Sequence, residues 1–172
     1  MIAAYCKAMD ALHHACVFFA GLFLVVITAI IPYGVFTRYM LNSAASWPEP
    51  LAILLMIWLS FLSALVCYRE HLHISVGVLP NLLTGAARTA LGIIIEVCML
   101  FTNFFMFWYG IGLVQTTWHQ TIAEFPIMSV GVSYLPVPIG GAITVLFIFE
   151  RFLTGAYFPP PHDHTADTIS AE

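Results

Sequence analysis

The chain has 172 residues, of which 61% are hydrophobic and only 8% are charged, whereas an ordinary soluble domain carries about 25% charged residues. This composition excludes a soluble globular domain and indicates a protein that resides in a lipid bilayer. The formal net charge of -4 comes without any basic stripe, so the sequence gives no indication of nucleic-acid binding.

Intervals without Asp, Glu, Lys or Arg locate the membrane spans, because about 20 helical residues cross a hydrocarbon core about 30 Å thick. Four intervals are long enough: 11–37, 50–68, 97–123 and 125–149. We predict membrane helices at residues 15–37, 50–68, 91–117 and 129–150. Helix is favoured over strand because these continuous apolar runs lack the alternation of a barrel strand. The sequence therefore predicts an all-α membrane protein, with a four-helix transmembrane domain over residues 1–155.

The distribution of basic residues predicts the orientation of this domain. Four helices leave both termini on one side of the membrane, where four of the five Lys and Arg residues fall, and Arg38 alone falls on the other side. By the positive-inside rule, both termini are predicted to be cytoplasmic. The tail at residues 156–172 is rich in proline and polar residues and is predicted to be a disordered cytoplasmic end.

The loop after the first predicted helix places charged and aromatic residues at the outer membrane edge. Pro50 suits the first position of a helix and disfavours helical backbone in the residue before it, so Glu49 is predicted to be the cap of the second helix. The alternative makes Ser46 the cap, with Glu49 completing a capping box. Trp47 suits the water interface. Arg38 is expected to form a structural pair with Glu49 or to contact another protein chain.

The second predicted helix carries a stripe of small side chains. Ser60, Ser63, Ala64 and Cys67 follow the i, i+3, i+4, i+7 spacing of one helix face. Such a face lets another helix approach closely. The spacing leaves open whether that helix belongs to this chain or to a partner.

The connection "YREHLHISVGVLPNLL" between the second and third helices has apolar residues at helical spacing: Leu72, Val76, Leu79 and Leu83. This pattern predicts an interfacial arm within residues 70–88 that lies on the cytoplasmic membrane surface. Gly77 and Pro80 keep an ordinary loop open as the alternative.

Two features inside the later spans are candidates for function. Glu96 is the only acid well inside a predicted helix, and we interpret it as an interfacial or paired structural acid, with a proton or partner site as the alternative. Pro136 and Pro138 predict a kink or a late helix start in the fourth span, although a broken helix can also mark a transport site.

Histidines raise the question of a metal or haem. His71 and His73 form an H-x-H pair, but no cysteine or carboxylate cluster completes a ligand set, so we expect no metal and no cofactor. Paired haem ligands would have to come from His13 or His14 together with His71 or His73. A haem-binding membrane anchor therefore stays open as an alternative.

The stretch "RYMLNSAASWPEPLAILLMIWLSFLSALVCYREHLHISV" resembles the small membrane subunit (Q-type, small permease) of tripartite ATP-independent periplasmic (TRAP) transporters. The matching features are Arg38 with Tyr39, the acidic position before the second helix, Trp58 in "WLSFLSA" and His73 in "HISV". A looser match follows in "FPIMSVGVSYLPVPIGGAITVLFIFERF". Two positions depart from the family pattern, because Pro50 stands at a second acidic position and Ser63 at a common glycine.

The resemblance implies a scaffold subunit of the bacterial inner membrane that is not an enzyme. In that family the small subunit binds a large membrane subunit, which carries substrate and sodium, and a periplasmic substrate-binding protein delivers an organic acid such as a sialic acid or a C4-dicarboxylate. We expect a one-to-one heterodimer with the large subunit. The expected partner or structural interface comprises Arg38, Tyr39, Trp47, Glu49, Trp58, Ser60, Ser63, Ala64, Cys67 and His73. A small four-helix proton-coupled exporter that uses Glu96 is the further alternative.

Overall fold

The structure is a computed structural model that describes residues 2–41, 45–70, 86–122 and 125–154. Its elements in chain order are α1 (Ile2–Met40), α2 (Pro48–Arg69), α3 (Ala86–Thr117), β1 (Thr121–Ile122), β2 (Phe125–Ser129), α4 (Val130–Tyr134) and α5 (Pro136–Thr154). Within the described ranges, four helical segments are long and apolar enough to cross a membrane: Tyr5–Met40, Pro48–Arg69, Ala87–Thr117 and Val130–Thr154. The predicted four-helix membrane fold is thus confirmed.

Helix α1 begins well before the predicted residue 15. Its 39 residues correspond to a length of about 58 Å, nearly twice the thickness of the hydrocarbon core. Tertiary contacts hold its first turns, since Met9 and Cys16 are buried in the core cluster and the Tyr5 hydroxyl donates to the carbonyl of Leu146 at 2.9 Å. Helix α1 therefore extends beyond the membrane edge and includes the polar residues near the start of the chain.

Helix α2 begins two residues before the predicted start. Its N-cap is Trp47, which makes no side-chain capping hydrogen bond, so the prediction of Glu49 as the cap is wrong. The first four amides of a helix have no intrahelical acceptor, and Pro48 and Pro50 fall at two of these positions. The first helical bond is donated by Leu51 to the carbonyl of Trp47 at 3.2 Å. Two prolines are therefore accommodated, and Glu49 lies inside the first turn.

The fourth span is interrupted near its start, as the two prolines predict. Helices α4 and α5 are separated only by Leu135, whose amide still donates to the carbonyl of Gly131 at 3.1 Å. Ser129 caps α4 by accepting a hydrogen bond from the amide of Gly131. The chain thus follows a nearly continuous helical path across the membrane.

The helices pack in the order α1, α2, α5, α3, with the most extensive contacts in the pairs α1–α2 and α3–α5. Helix α5 lies at the centre and carries the most deeply buried side chains, Phe147 and Ile148. Gly141 permits the close approach of α5 to α3, because a Cβ atom added there would lie 2.8 Å from the carbonyl oxygen of Asn103. Helix α5 therefore joins the two halves of the domain.

A short antiparallel hairpin of β1 and β2 connects α3 to α4, with Thr121 opposite Ser129. It adds a small element that the all-α prediction did not contain. The predicted interfacial arm falls largely on residues 71–85, and the predicted tail lies at 156–172. Both lie outside the described residues and stay predictions.

Candidate functional site

Glu96 lies in a buried charge cluster built from three helices. Its side chain in α3 is 2% exposed, and Oε1 accepts a hydrogen bond from Nη1 of Arg151 in α5 at 2.7 Å. The other carboxylate oxygen accepts from the hydroxyl of Tyr68 in α2. Arg151 also donates to the backbone carbonyl of Tyr68 and lies 4.2 Å from the centre of its ring. Both oxygens of Glu96 are therefore engaged by this chain.

A second cluster, centred on Arg69 of α2, extends the network to α1. Its Nη2 donates to Oδ1 of Asp10 at 2.6 Å and to Oε1 of Glu150 at 3.0 Å. Its Nη1 donates to the backbone carbonyl of Met9 at 2.9 Å. Hydrogen bonds between charged partners are about twice as strong as neutral ones. The two clusters together connect all four membrane-spanning segments.

The network lies at the membrane edge where α2 ends. The 22 residues of α2 correspond to about 33 Å, close to the thickness of the hydrocarbon core, so Glu49 and Arg69 mark opposite edges. Tyr68 lies one residue before Arg69, and Glu96 and Arg151 lie at the same level. The sequence does not reveal Arg151 as the partner of Glu96, because the two lie 55 positions apart and no periodicity links them.

The opposite edge carries a cleft between α1 and α2 with a volume of about 410 Å³. Arg38, Tyr39 and Glu49 all line it. Among the described residues, Arg38 and Glu49 form no ion pair with each other, in contrast to the charged residues at the other edge. The rings of Tyr33 and Trp47 lie nearby, with their centres 5.7 Å apart. The structure thus brings most of the predicted edge residues to one cleft.

Trp58 has a local structural role that involves the break before α5. Its Nε1 donates to the backbone carbonyl of Val132 at 3.2 Å. In an uninterrupted helix that carbonyl would accept from the amide of residue 136, but Pro136 has no N–H. A carbonyl without a partner is costly inside a membrane. The indole of Trp58 therefore replaces the hydrogen bond that Pro136 removes.

The small-residue stripe of α2 lies partly on the outer surface of the domain. Ser60 and Ala64 are exposed, while Ser63 and Cys67 are partly buried. The side of the stripe that carries Ser60 and Ala64 is therefore left uncovered by the described helices. His73, the remaining residue of the expected interface, lies outside the described residues.

A haem-binding anchor would use His13 or His14 together with His71 or His73, and of these only His13 and His14 lie among the described residues. His13 Nε2 lies 3.3 Å from a carboxylate oxygen of Glu70, and His14 Nδ1 lies 2.7 Å from the carbonyl oxygen of Asp10. His71 and His73 are not described. Over residues 2–41, 45–70, 86–122 and 125–154, no group of three His, Cys, Asp or Glu side chains could hold a metal ion.

Comparison with known proteins identifies similar membrane subunits. A family model for the DctQ component of tripartite ATP-independent periplasmic transporters matches residues 27–157. A Haemophilus influenzae protein named as a TRAP transporter small permease protein is 26% identical over 141 residues, covering 78% of this chain and 83% of that protein. The sialic acid TRAP transporter small permease protein SiaQ of Vibrio cholerae is 24% identical over 128 residues, covering 72% of this chain and 70% of that protein.

Proposed function

The chain belongs to the family of DctQ components, the small permease subunits of TRAP transporters, and we propose that it is a non-catalytic scaffold of a sodium-coupled importer of organic acids. Family membership and the four apolar spans make it a multi-pass subunit of a transporter in the inner membrane. In the proposal it braces a large membrane subunit in a one-to-one complex. The periplasmic substrate-binding protein delivers the cargo, and sialic acid is one candidate because a relative carries that name.

The state of Glu96 supports a scaffold more than any other observation. A solute or proton site inside a membrane needs an ionisable group that can exchange partners. Both oxygens of Glu96 accept hydrogen bonds from Arg151 and Tyr68, and residues 97–123 and 125–149 contain no Asp, Glu, Lys or Arg. A proton-coupled exporter that uses Glu96 is therefore not favoured. Solute and sodium would be carried by the partner subunit.

The exposed face of α2 is the proposed docking surface for the large membrane subunit. Ile53, Met56, Ser60 and Ala64 follow one another along this face, and all four are exposed. Its second half is formed by small side chains, which permit close contact between helix backbones in a membrane. In this arrangement the termini are cytoplasmic, and the edge with Tyr39 and Trp47 faces the substrate-binding protein.

Reconstitution tests the scaffold role. We expect no uptake of an organic acid by proteoliposomes that contain this chain alone. Sodium-dependent uptake should appear when the large membrane subunit and the substrate-binding protein are added. Uptake by the chain alone, or a bound organic acid in the purified chain, would overturn the proposal.

A matched pair of substitutions tests the docking surface. Ala64→Leu should prevent copurification of the large subunit, because the added side chain separates the helix backbones. Ala90→Leu is the control, since Ala90 is an exposed alanine on α3 away from the proposed face. Equal copurification of both variants would show that the large subunit docks elsewhere.

A further inference from the structure

The cleft between α1 and α2 extends from the outer membrane edge into the span, along both helices. From Arg38 to Ile30 it runs along nine residues of α1, a distance of about 12 Å. Below its charged rim, the walls are formed by apolar side chains, among them Ile31, Val35 and Ile53. An apolar cleft that opens at a membrane edge is accessible to the acyl chains of the surrounding bilayer.

The rim of the cleft offers one charge of each sign. Arg38 and Glu49 are both exposed, and within the described chain neither forms an ion pair with the other. A guanidinium group binds phosphate in a bidentate manner, and a carboxylate accepts hydrogen bonds from an ammonium group. Tyr33 and Trp47, which pack near the rim, are residue types that concentrate at the level of lipid headgroups.

We propose that this cleft binds a phospholipid with a zwitterionic ammonium headgroup, phosphatidylethanolamine. The phosphate is held by Arg38 and the ammonium group by Glu49, while one acyl chain lies in the groove along α1 and α2 toward Ile30. The bound lipid covers this groove and places a fixed headgroup at the edge of the subunit. This site goes beyond the scaffold role. Ile53 and Met56 belong both to its wall and to the proposed docking face, so a docked large subunit would cover the opening over the bound lipid.

The test is the lipid content of the full chain purified with its native membrane partners. Native mass spectrometry and lipid extraction compare bound phosphatidylethanolamine with phosphatidylglycerol, which lacks the ammonium group. Arg38→Gln should reduce binding of both lipids, whereas Glu49→Gln should reduce only phosphatidylethanolamine. Loss of a charge-assisted hydrogen bond corresponds to about a tenfold loss of affinity. Arg38→Lys should restore part of the binding.

A pair of valine substitutions separates cleft binding from general lipid contact. Val35→Trp fills the cleft and should remove the bound lipid, while Val25→Trp places the same side chain on an exposed part of α1 outside the cleft. Equal lipid content in both variants would refute the site. A photo-crosslinking residue at position 35 should yield a lipid adduct, and an adduct with a partner protein would assign the cleft to that protein instead. Copurification of the large subunit, measured in the same samples, separates failure of this site from failure of the scaffold proposal.

Discussion

Replacement of Trp58 by phenylalanine tests whether its indole stabilises the carbonyl that Pro136 leaves without an amide. Phenylalanine keeps an aromatic ring but cannot donate to the Val132 carbonyl, which the indole now reaches at 3.2 Å. Hydrogen bonds between helices in a membrane contribute about 0.6 kcal/mol on average and up to about 1.7 kcal/mol. Because the acceptor has no helical donor, we expect the upper half of this range, so Trp58→Phe should destabilise the protein by about 1 kcal/mol.

The second arm of this experiment restores the missing amide. Pro136→Ala supplies an N–H that can bond the carbonyl of Val132 within the helix, so Trp58→Phe should cost much less in that background. A double-mutant cycle then gives a coupling energy of about 1 kcal/mol between the two positions. Trp108→Phe is the control for loss of an indole, since Trp108 is 66% exposed.

Reversible unfolding in mixed detergent micelles, followed by far-ultraviolet circular dichroism, measures these free energies without relying on tryptophan fluorescence. Trp58→Phe should lower the free energy of unfolding more than Trp108→Phe does, but only in the protein that retains Pro136. If Trp58→Phe lowers it equally with proline and with alanine at position 136, the reasoning is refuted. The tryptophan would then contribute by packing alone.

Three further predictions concern the charge network and helix packing. Glu96→Gln leaves a guanidinium without its buried charge partner and should cost about 3 kcal/mol of unfolding free energy, measured in the same micelles. Glu150 and Asp10 both pair with Arg69, but Glu150 is 13% exposed and Asp10 is 60% exposed. Glu150→Gln should therefore lower the free energy of unfolding clearly, and Asp10→Asn should lower it by less than about 1 kcal/mol. The reverse order would contradict the assigned burial. Gly141→Ala should lower the melting temperature through a backbone clash, while Gly112→Ala, where nothing lies within 4 Å, should leave it unchanged or raise it.

The local sequence determined the number and approximate position of the membrane spans. The bilayer has a fixed thickness, so an interval of about 20 residues without charges has few alternatives to a membrane helix. The sequence also indicated the break before α5, because a proline lacks the backbone N–H that a helix interior needs. The start of α2 was predicted two residues too late. The first four amides of a helix have no intrahelical acceptor, so Pro48 and Pro50 are compatible with more than one starting residue.

Only the tertiary structure decided which side chains meet across the membrane domain. Glu96 and Arg151 lie 55 positions apart, and Trp58 and Val132 lie 74 apart. Such contacts depend on the rotation and depth of each helix relative to its neighbours. Helices that are apolar on all sides carry little amphipathic pattern to specify that rotation, and close packing at residues such as Gly141 sets it instead. The sequence therefore determined what crosses the membrane, and packing between the spans determined how the few charged residues are paired.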